Sequence, residues 1–348
     1  MKLVRYSLGS ENTVFALVIG DHAVSLATLQ LRSGITRPDV RDSKAYLAAL
    51  PESEQVVREL LAWGEAHLAE LTAGDKPRLD QVRLHQPIDV AALFDFGLTP
   101  RHLKNSGETI FKYEKDNPQT SSMLQAFAKA VLAPKPKPPE GQPEPLPYYK
   151  CNMNTIVGDG VSVPWPAYTS RLDIEPELAV VYGNTRQPVA GYCIFNDVSA
   201  RDVQATEFIG GFCLTKDMAK GNQLGPYLVT PDEVGDPFSL KVTVVVDGQI
   251  KFQGSTAEIS HRSEDVFAWL ASIAPINPGS VMGFGTIPDC TGCDHDEFID
   301  PGADIEIRFE RLGALRCHFA PPAGCLLPSR WPVRPALQKY YVRDEQQK

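Results

Sequence analysis

The stretch DIEPELAVVYGNTRQPVAGYCIFND, residues 173–197, decides how the rest of the chain is read. In an extended strand, successive side chains alternate faces. Glu175 and Glu177 therefore share one face, while Ile174, Leu178 and Val180 share the other. The polar run GNTRQP (183–188) turns the chain into a second apolar run, Val189 to Phe195, which delivers Asp197 at its end. Three acidic groups on neighbouring strands repel one another unless a cation lies between them. Carboxylate-only ligation suits Mg2+, Mn2+ or Ca2+, whereas zinc favours nitrogen and sulfur. A Glu-x-Glu pair alone is more often a solvated strand face, but these faces are otherwise apolar. The stretch reads as a hard-metal site in a metal-dependent enzyme.

Polar residues follow at once. Ser199 and Asp202 stand at capping-box spacing, with Asp in place of the usual Glu or Gln, and predict a helix over 199–208. Arg201 and Gln204, three residues apart, would share a face of that helix beside the metal. A helix N-terminus, an arginine and an amide are good donors for a developing oxyanion. The plainer role for Arg201 is to pair with the nearby carboxylates.

Working outward, strands are expected around 150–156, 177–183, 189–196, 226–230, 240–247, 249–256, 280–285, 304–310 and 313–319. Asp247–Gly248, between two apolar runs, is a type I′ hairpin signal. Helical spacing marks 53–72, with Ser53 as N-cap and Gly74 as stop, and also 100–132 and 261–273. Hairpin-linked strands with few helices between them indicate an α+β fold with a mainly β catalytic domain. A boundary near residue 88 would separate a small N-terminal α+β domain (1–88) from the catalytic domain (89–335), leaving a tail at 336–348. The segment PKPKPPEGQPEPLP (134–147) lacks the donors for helix or central strand and reads as a linker or a lid.

Composition narrows the partners. Across 348 residues, 34 Lys and Arg against 43 Asp and Glu give a net charge of −9. That balance argues against nucleic acid or an anionic membrane surface. No apolar stretch approaches the roughly 18–20 residues of a membrane span, and the N-terminal apolar run is broken too early for a signal peptide. Seven cysteines without a regular framework fit a reducing cytoplasm. Cys290 and Cys293, beside Asp294 and His295, have no second pair at finger spacing and read as a loop near the mouth of the site. Nucleophile-elbow, P-loop and dinucleotide motifs are missing.

Alongside DIEPELAVVYG stand NDVSARDVQ (196–204), a lysine-containing segment ending LGPYLVT (224–230), the hairpin VVVDGQIKFQGSTAEI (244–259) and NPGSVMGFGTIP (277–288). With these segments in this order, the chain resembles the fumarylacetoacetate hydrolase (FAH) family over roughly residues 90–320. The resemblance implies a mixed β-sheet roll holding a divalent metal, commonly in a homodimer. It implies metal ligands at Glu175, Glu177 and Asp197, substrate or oxyanion contacts at Arg201, Gln204 and Lys216, and a further contact at Thr286. In DFGLTPRH (95–102), Asp95 looks like a fourth carboxylate ligand and His102 like the general base. Glu306 resembles the family's histidine-orienting glutamate.

Two departures bear on substrate. The connection between Glu177 and Asp197 is short, as in the family's sugar-acid dehydratases. Lys220 places a second amine where smaller or aromatic residues are common, suited to a carboxylate or a hydroxyl-rich substrate. The resulting expectation is hydrolysis of a carbon–carbon bond in a β-diketo or acylpyruvate-type keto acid, with Mg2+ (or Mn2+ or Ca2+) as cofactor. The alternatives are a lyase of the same family (2-keto-3-deoxy sugar acid dehydratase or oxaloacetate-type decarboxylase) and an inactive, metal-stabilised ligand-binding relative. Asp95, His102 and Glu306 together favour hydrolysis, because an activated water is what such a trio provides.

Overall fold

A computed structural model describes residues 1–9, 12–132, 138–208 and 211–341. Part of the expected linker or lid (134–137) and most of the expected tail (342–348) lie outside the described residues.

The stretch that opened the sequence reading sits at the centre of an eleven-stranded sheet. Pro176–Tyr182 pairs antiparallel with Val189–Asp197 on one side and with Ser280–Thr286 on the other. Beyond Val189–Asp197 lie Asn222–Val229 and then Lys2–Ser7, so residues 1–25 extend this sheet by three strands. Beyond Ser280–Thr286 lies Ala92–Phe96, paired parallel, and then Tyr148–Lys150 at the edge. The register explains the site. Glu177 sits opposite Phe195 and Thr286, Gly283 opposite Asp95, and Asp95 opposite Tyr149.

A second sheet of five strands runs Gln249–Ser255, Lys241–Val246, Asp304–Phe309, Gly313–Phe319 and Val161–Val163. The Asp247–Gly248 hairpin has φ of 50° and 78° at its two residues, as a type I′ turn demands. The largest core lies between the sheets and is built from Leu178, Val180 and Ile194 of one and Val242, Val244, Ile305 and Ile307 of the other. A second core packs the opposite face of the large sheet, through Ala179, Val181 and Cys193, against the helix Glu52–His67. The fold is α+β with mixed sheets, and the elements that carry chemistry are mainly strands.

Several local expectations change. The apolar pattern of 100–132 forms two helices, Pro100–Glu114 and Pro118–Leu132, broken where Pro118 cannot continue the first. Ser53 is not an N-cap; it lies inside the helix and its hydroxyl donates to Tyr46 O. The expected helix at 199–208 shrinks to Arg201–Gln204 and has no capping box. Asp202 instead accepts from Ser170 N and the Ser170 and Thr169 hydroxyls, so tertiary partners have taken the cap.

The helix Pro100–Glu114 buries His102, Ser106, Thr109, Ile110 and Glu114, one stripe at helical spacing. Its last residue is a docking point. Glu114 accepts from Trp331 Nε1 at 2.9 Å, Arg330 at 2.9 Å and the Thr120 hydroxyl at 2.7 Å. Tyr113 stacks on the Trp331 ring at 4.4 Å. Burial works against the Glu114 carboxylate, yet these donors outweigh it and hold its pKa below the usual value. A carboxyl depressed in this way stabilises the fold above the ordinary glutamate pKa of about 4.3 and loses that contribution as pH falls through the native value. Glu114→Gln should therefore lose on the order of 1–3 kcal/mol at neutral pH. In denaturant melts, the gap to wild type should close as pH drops below about 4.

Candidate functional site

Four acids converge where the central strands end. One oxygen from each of Asp95, Glu175 and Asp197 lies within 4.8 Å of the others. All three are buried. Asp197 is the last residue of its strand, and its N–H donates to Glu175 O at 3.1 Å, which ties the two acids together. Glu177 lies beside this trio rather than in it. It accepts from Gly285 N at 2.9 Å and from the Thr286 hydroxyl at 3.4 Å. Gly283 makes room for it, since a Cβ there would stand 2.5 Å from Glu177 Oε2.

Two cations answer the acids. Lys216 Nζ donates to Glu175, Asp197 and the Ser199 hydroxyl. Arg201 meets Glu175 Oε1 at 2.5 Å, Asp173 at 3.0 Å and Gln204 Oε1 at 3.2 Å. Burial opposes ionisation of Glu175, but Arg201 and Lys216 outweigh it and hold its carboxyl well below the usual range. The other acids go the opposite way. Burial, with Asp197 next, pushes Asp95 up to about 8. Burial, with Asp95 and Glu175 next, lifts Glu177 well above its ordinary value. Were all four acids ionised, Lys216 and Arg201 would balance only two of their charges.

That imbalance tests the fit of a metal. The donor set is all oxygen, and Asp197 Oδ1 is a buried acceptor with no hydrogen-bond partner. A hard divalent cation matches both the charge and the donors.

His102 lies above this group. It is buried, its Nδ1 is 2.7 Å from Asp294 Oδ1, and its Nε2 is 3.6 Å from Glu175 Oε1. Burial disfavours the imidazolium, but Asp294 and Glu175 overcome it and push the pKa up to about 9. Asp294 belongs to the turn Cys290–Asp296, which grips the His102 helix at several points. Asp289 pairs with Arg101, and Asp296 takes Lys112 and the Tyr113 hydroxyl.

The sequence-derived set is thus brought together only in part. Asp95, Glu175, Asp197, Lys216, Arg201 and His102 converge; Glu177 and Thr286 support them, and Gln204 holds Arg201. Glu306 does not take part. It lies in the second sheet, where Arg308 and Arg316 bind its carboxylate, and the partner of His102 is Asp294. The alternation of a strand gave no means of choosing between an acid in a strand and one in a turn. Lys220 is exposed and donates to Ser162 O at 3.1 Å, away from the carboxylates. Cys290 and Cys293 are buried, and burial raises both thiols, the reverse of a nucleophile or a zinc ligand. Sequence reasoning missed Asp173, Tyr149 and Asp294. Asp173 shares the parity of Glu175 and Glu177, which was a usable signal. Tyr149, whose hydroxyl donates to Asp197, left none.

Comparison with known proteins agrees with this geometry. The profile described as fumarylacetoacetate (FAA) hydrolase C-terminal matches residues 122–320, more than half of the chain. The chain belongs to the fumarylacetoacetate hydrolase family. One family relative, human mitochondrial oxaloacetate tautomerase FAHD2A, is 32% identical over 182 residues, which is 49% of this chain and 58% of the relative. The chain thus spans little more than half the length of that relative. Maleylpyruvate hydrolase from Sphingobium sp. SYK-6, solved in complex with manganese(II) and pyruvate, superposes with a TM-score of 0.61 at 18% identity, covering 92% of this chain and 100% of that one. 5-Carboxymethyl-2-hydroxymuconate delta-isomerase from Mycobacterium smegmatis gives 0.58 at 21% identity, covering 92% and 99%. These two establish the fold. Family members include hydrolases, isomerases and tautomerases of keto acids.

The crowding of acids has a measurable consequence. Mn2+ at about 100 times its Kd should stabilise the wild type by about 2.7 kcal/mol. Asp95→Asn should melt higher than wild type in EDTA at neutral pH, because an amide needs no proton to be buried there whereas Asp95 must gain one, and should lose most of the gain on adding Mn2+. Thermal melts with and without the ion check both.

Proposed function

We propose that this protein is a divalent-metal-dependent hydrolase that cleaves a carbon–carbon bond in an acylpyruvate-type 1,3-diketo acid. The observation that carries the reading is the buried His102–Asp294 pair set against the carboxylate cluster. Asp95, Glu175, Glu177 and Asp197 would hold Mg2+ or Mn2+. When bound, such an ion supplies Lewis acidity toward the oxygens of a keto acid.

The remaining chemistry belongs to the chain's own residues. Asp294 accepts from His102 Nδ1, which fixes the ring; with the charge of Glu175 taken up by a bound cation, the imidazole would hold its second proton less tightly, and the unprotonated Nε2 takes one from water. The new oxygen–carbon bond forms at the ketone distal to the carboxylate, and Arg201 and Lys216, with Gln204 behind them, supply donors for the oxyanion. As the oxyanion collapses, the carbon–carbon bond breaks and its electron pair leaves on the methylene carbon between the two ketones, as the enolate of pyruvate. The imidazolium returns its proton to that carbon. Two acids result. The family's keto-acid chemistry and the reducing compartment suggested by the cysteines support a cytoplasmic homodimer acting on a small molecule.

A second reading has an observation of its own. The relative at 32% identity is an oxaloacetate tautomerase, and an imidazole–carboxylate pair can equally move a proton between carbon and oxygen. Product analysis separates the two: hydrolysis releases two acids, whereas tautomerisation returns an isomer of unchanged mass.

His102→Ala should lower kcat by about 10²–10⁴ on acylpyruvates. Asp294→Asn should lower it by a smaller factor, and Glu306→Gln should leave it unchanged. Steady-state rates with Mg2+ and Mn2+ on acylpyruvates, fumarylacetoacetate and oxaloacetate test the proposal. Near-wild-type turnover by His102→Ala on every substrate would remove the base from the mechanism.

A further inference from the structure

Asp173 is a fully buried acid that the proposed reaction does not use. It begins the stretch that carries the metal acids, in a two-residue strand paired with Ser199–Ala200. Its carboxylate is saturated from two directions. On one side Arg201 Nε donates to Oδ2 at 3.0 Å. On the other, Gly292 N donates to Oδ1 at 2.8 Å, and Cys293 N to Oδ2 at 2.9 Å. The Thr291 hydroxyl closes the ring, donating to Asp173 Oδ2 and accepting from Arg201 at 3.0 Å. The next residue in that turn is Asp294, the partner of His102.

One carboxylate thus joins two arms of the site. Through Arg201 it reaches Glu175 and the expected oxyanion position; through the turn 291–293 it reaches Asp294 and the imidazole. The turn lies close, since a Cβ on Gly292 would stand 2.9 Å from Asp173 Oδ1. Its neighbours leave few alternatives for Arg201, whose guanidinium is fully buried and has Asp173, Glu175, Thr291 and Gln204 as partners. We propose that Asp173 is a positioning residue that holds Arg201 and the His102–Asp294 pair in register with each other. Supporting side chains of this kind typically govern activity by about 10–100-fold, because the groups they aim must be held to a fraction of an ångström.

The inference rests on the hydrolase reading for its kinetic consequence but not for its geometric one. A carboxylate that merely closed a turn would affect stability alone. Asp173→Asn is nearly isosteric, but its amide would turn a donor toward one of the N–H groups now bonded to the carboxylate. The full chain is studied with Mg2+ bound. The His102 Nδ1 proton, held against Asp294, should give a downfield NMR resonance in the wild type, identified by its loss in His102→Gln. Asp173→Asn should shift or broaden that resonance and lower kcat by about 10–100-fold. Should Asp173→Asn fail to fold, Thr291→Val removes the bridging hydroxyl without changing side-chain shape. It should weaken activity and perturb the same resonance, and Thr291→Ser should recover most of the loss. An Asp173→Asn or Thr291→Val protein with lowered melting temperature but wild-type resonance and kcat would overturn the inference. If the wild type cleaves none of the keto acids, the hydrolase reading fails, and the resonance alone decides the role of Asp173.

Discussion

The structure depends on the cost of keeping four carboxylates out of water at one end of one sheet. Each buried ion forfeits several kcal/mol of hydration, and each lies close enough to its neighbours to repel them. Two fixed cations, Lys216 and Arg201, offset half of the charge. The rest is answered only by a divalent ion or by protons, and the raised pKa of Asp95 and Glu177 is the protonic answer. A fold would not retain this arrangement for stability, since apolar residues of similar volume would serve better. The carboxylates are there for what they bind.

Around that constraint the labour is divided by element. The strands Pro176–Tyr182 and Val189–Asp197 bring the acids by register. Ser280–Thr286 brings the glycine and threonine that accommodate Glu177. His102 comes from elsewhere, on a helix that is fastened to a single turn by Arg101, His102, Lys112 and Tyr113. Asp95 and His102 both precede residue 122, where the match to the family profile begins. The segment that identifies the family therefore holds Glu175, Glu177 and Asp197, while Asp95 and His102 lie outside it.

Much of this was legible in the sequence. Strand alternation placed Glu175 and Glu177 on one face, and the apolar run to Phe195 placed Asp197 beside them; the observed register bears this out. The Asp247–Gly248 turn announced its hairpin. Failures came where partners are distant in sequence. Ser199 and Asp202 have the chemistry of caps but spend it on Lys216 and on Thr169 and Ser170. Glu306 sits at a plausible spacing in a strand, yet its neighbours are arginines, and no periodicity could assign His102 to a turn 192 residues away. Cys290 to His295 read only as a loop near the mouth of the site, because the grip of this turn on a helix is visible only in three dimensions.

That separation has a kinetic side. The parallel pairing of Ala92–Phe96 with Ser280–Thr286, and the contact between positions 102 and 294, close very large loops of chain. Loop closure must precede any reward from such contacts, so topologies of this kind order slowly and their far-joined parts assemble late. A newly made chain would then form its local hairpins, such as Lys241–Val246 with Gln249–Ser255, well before Asp95 and His102 reach their partners.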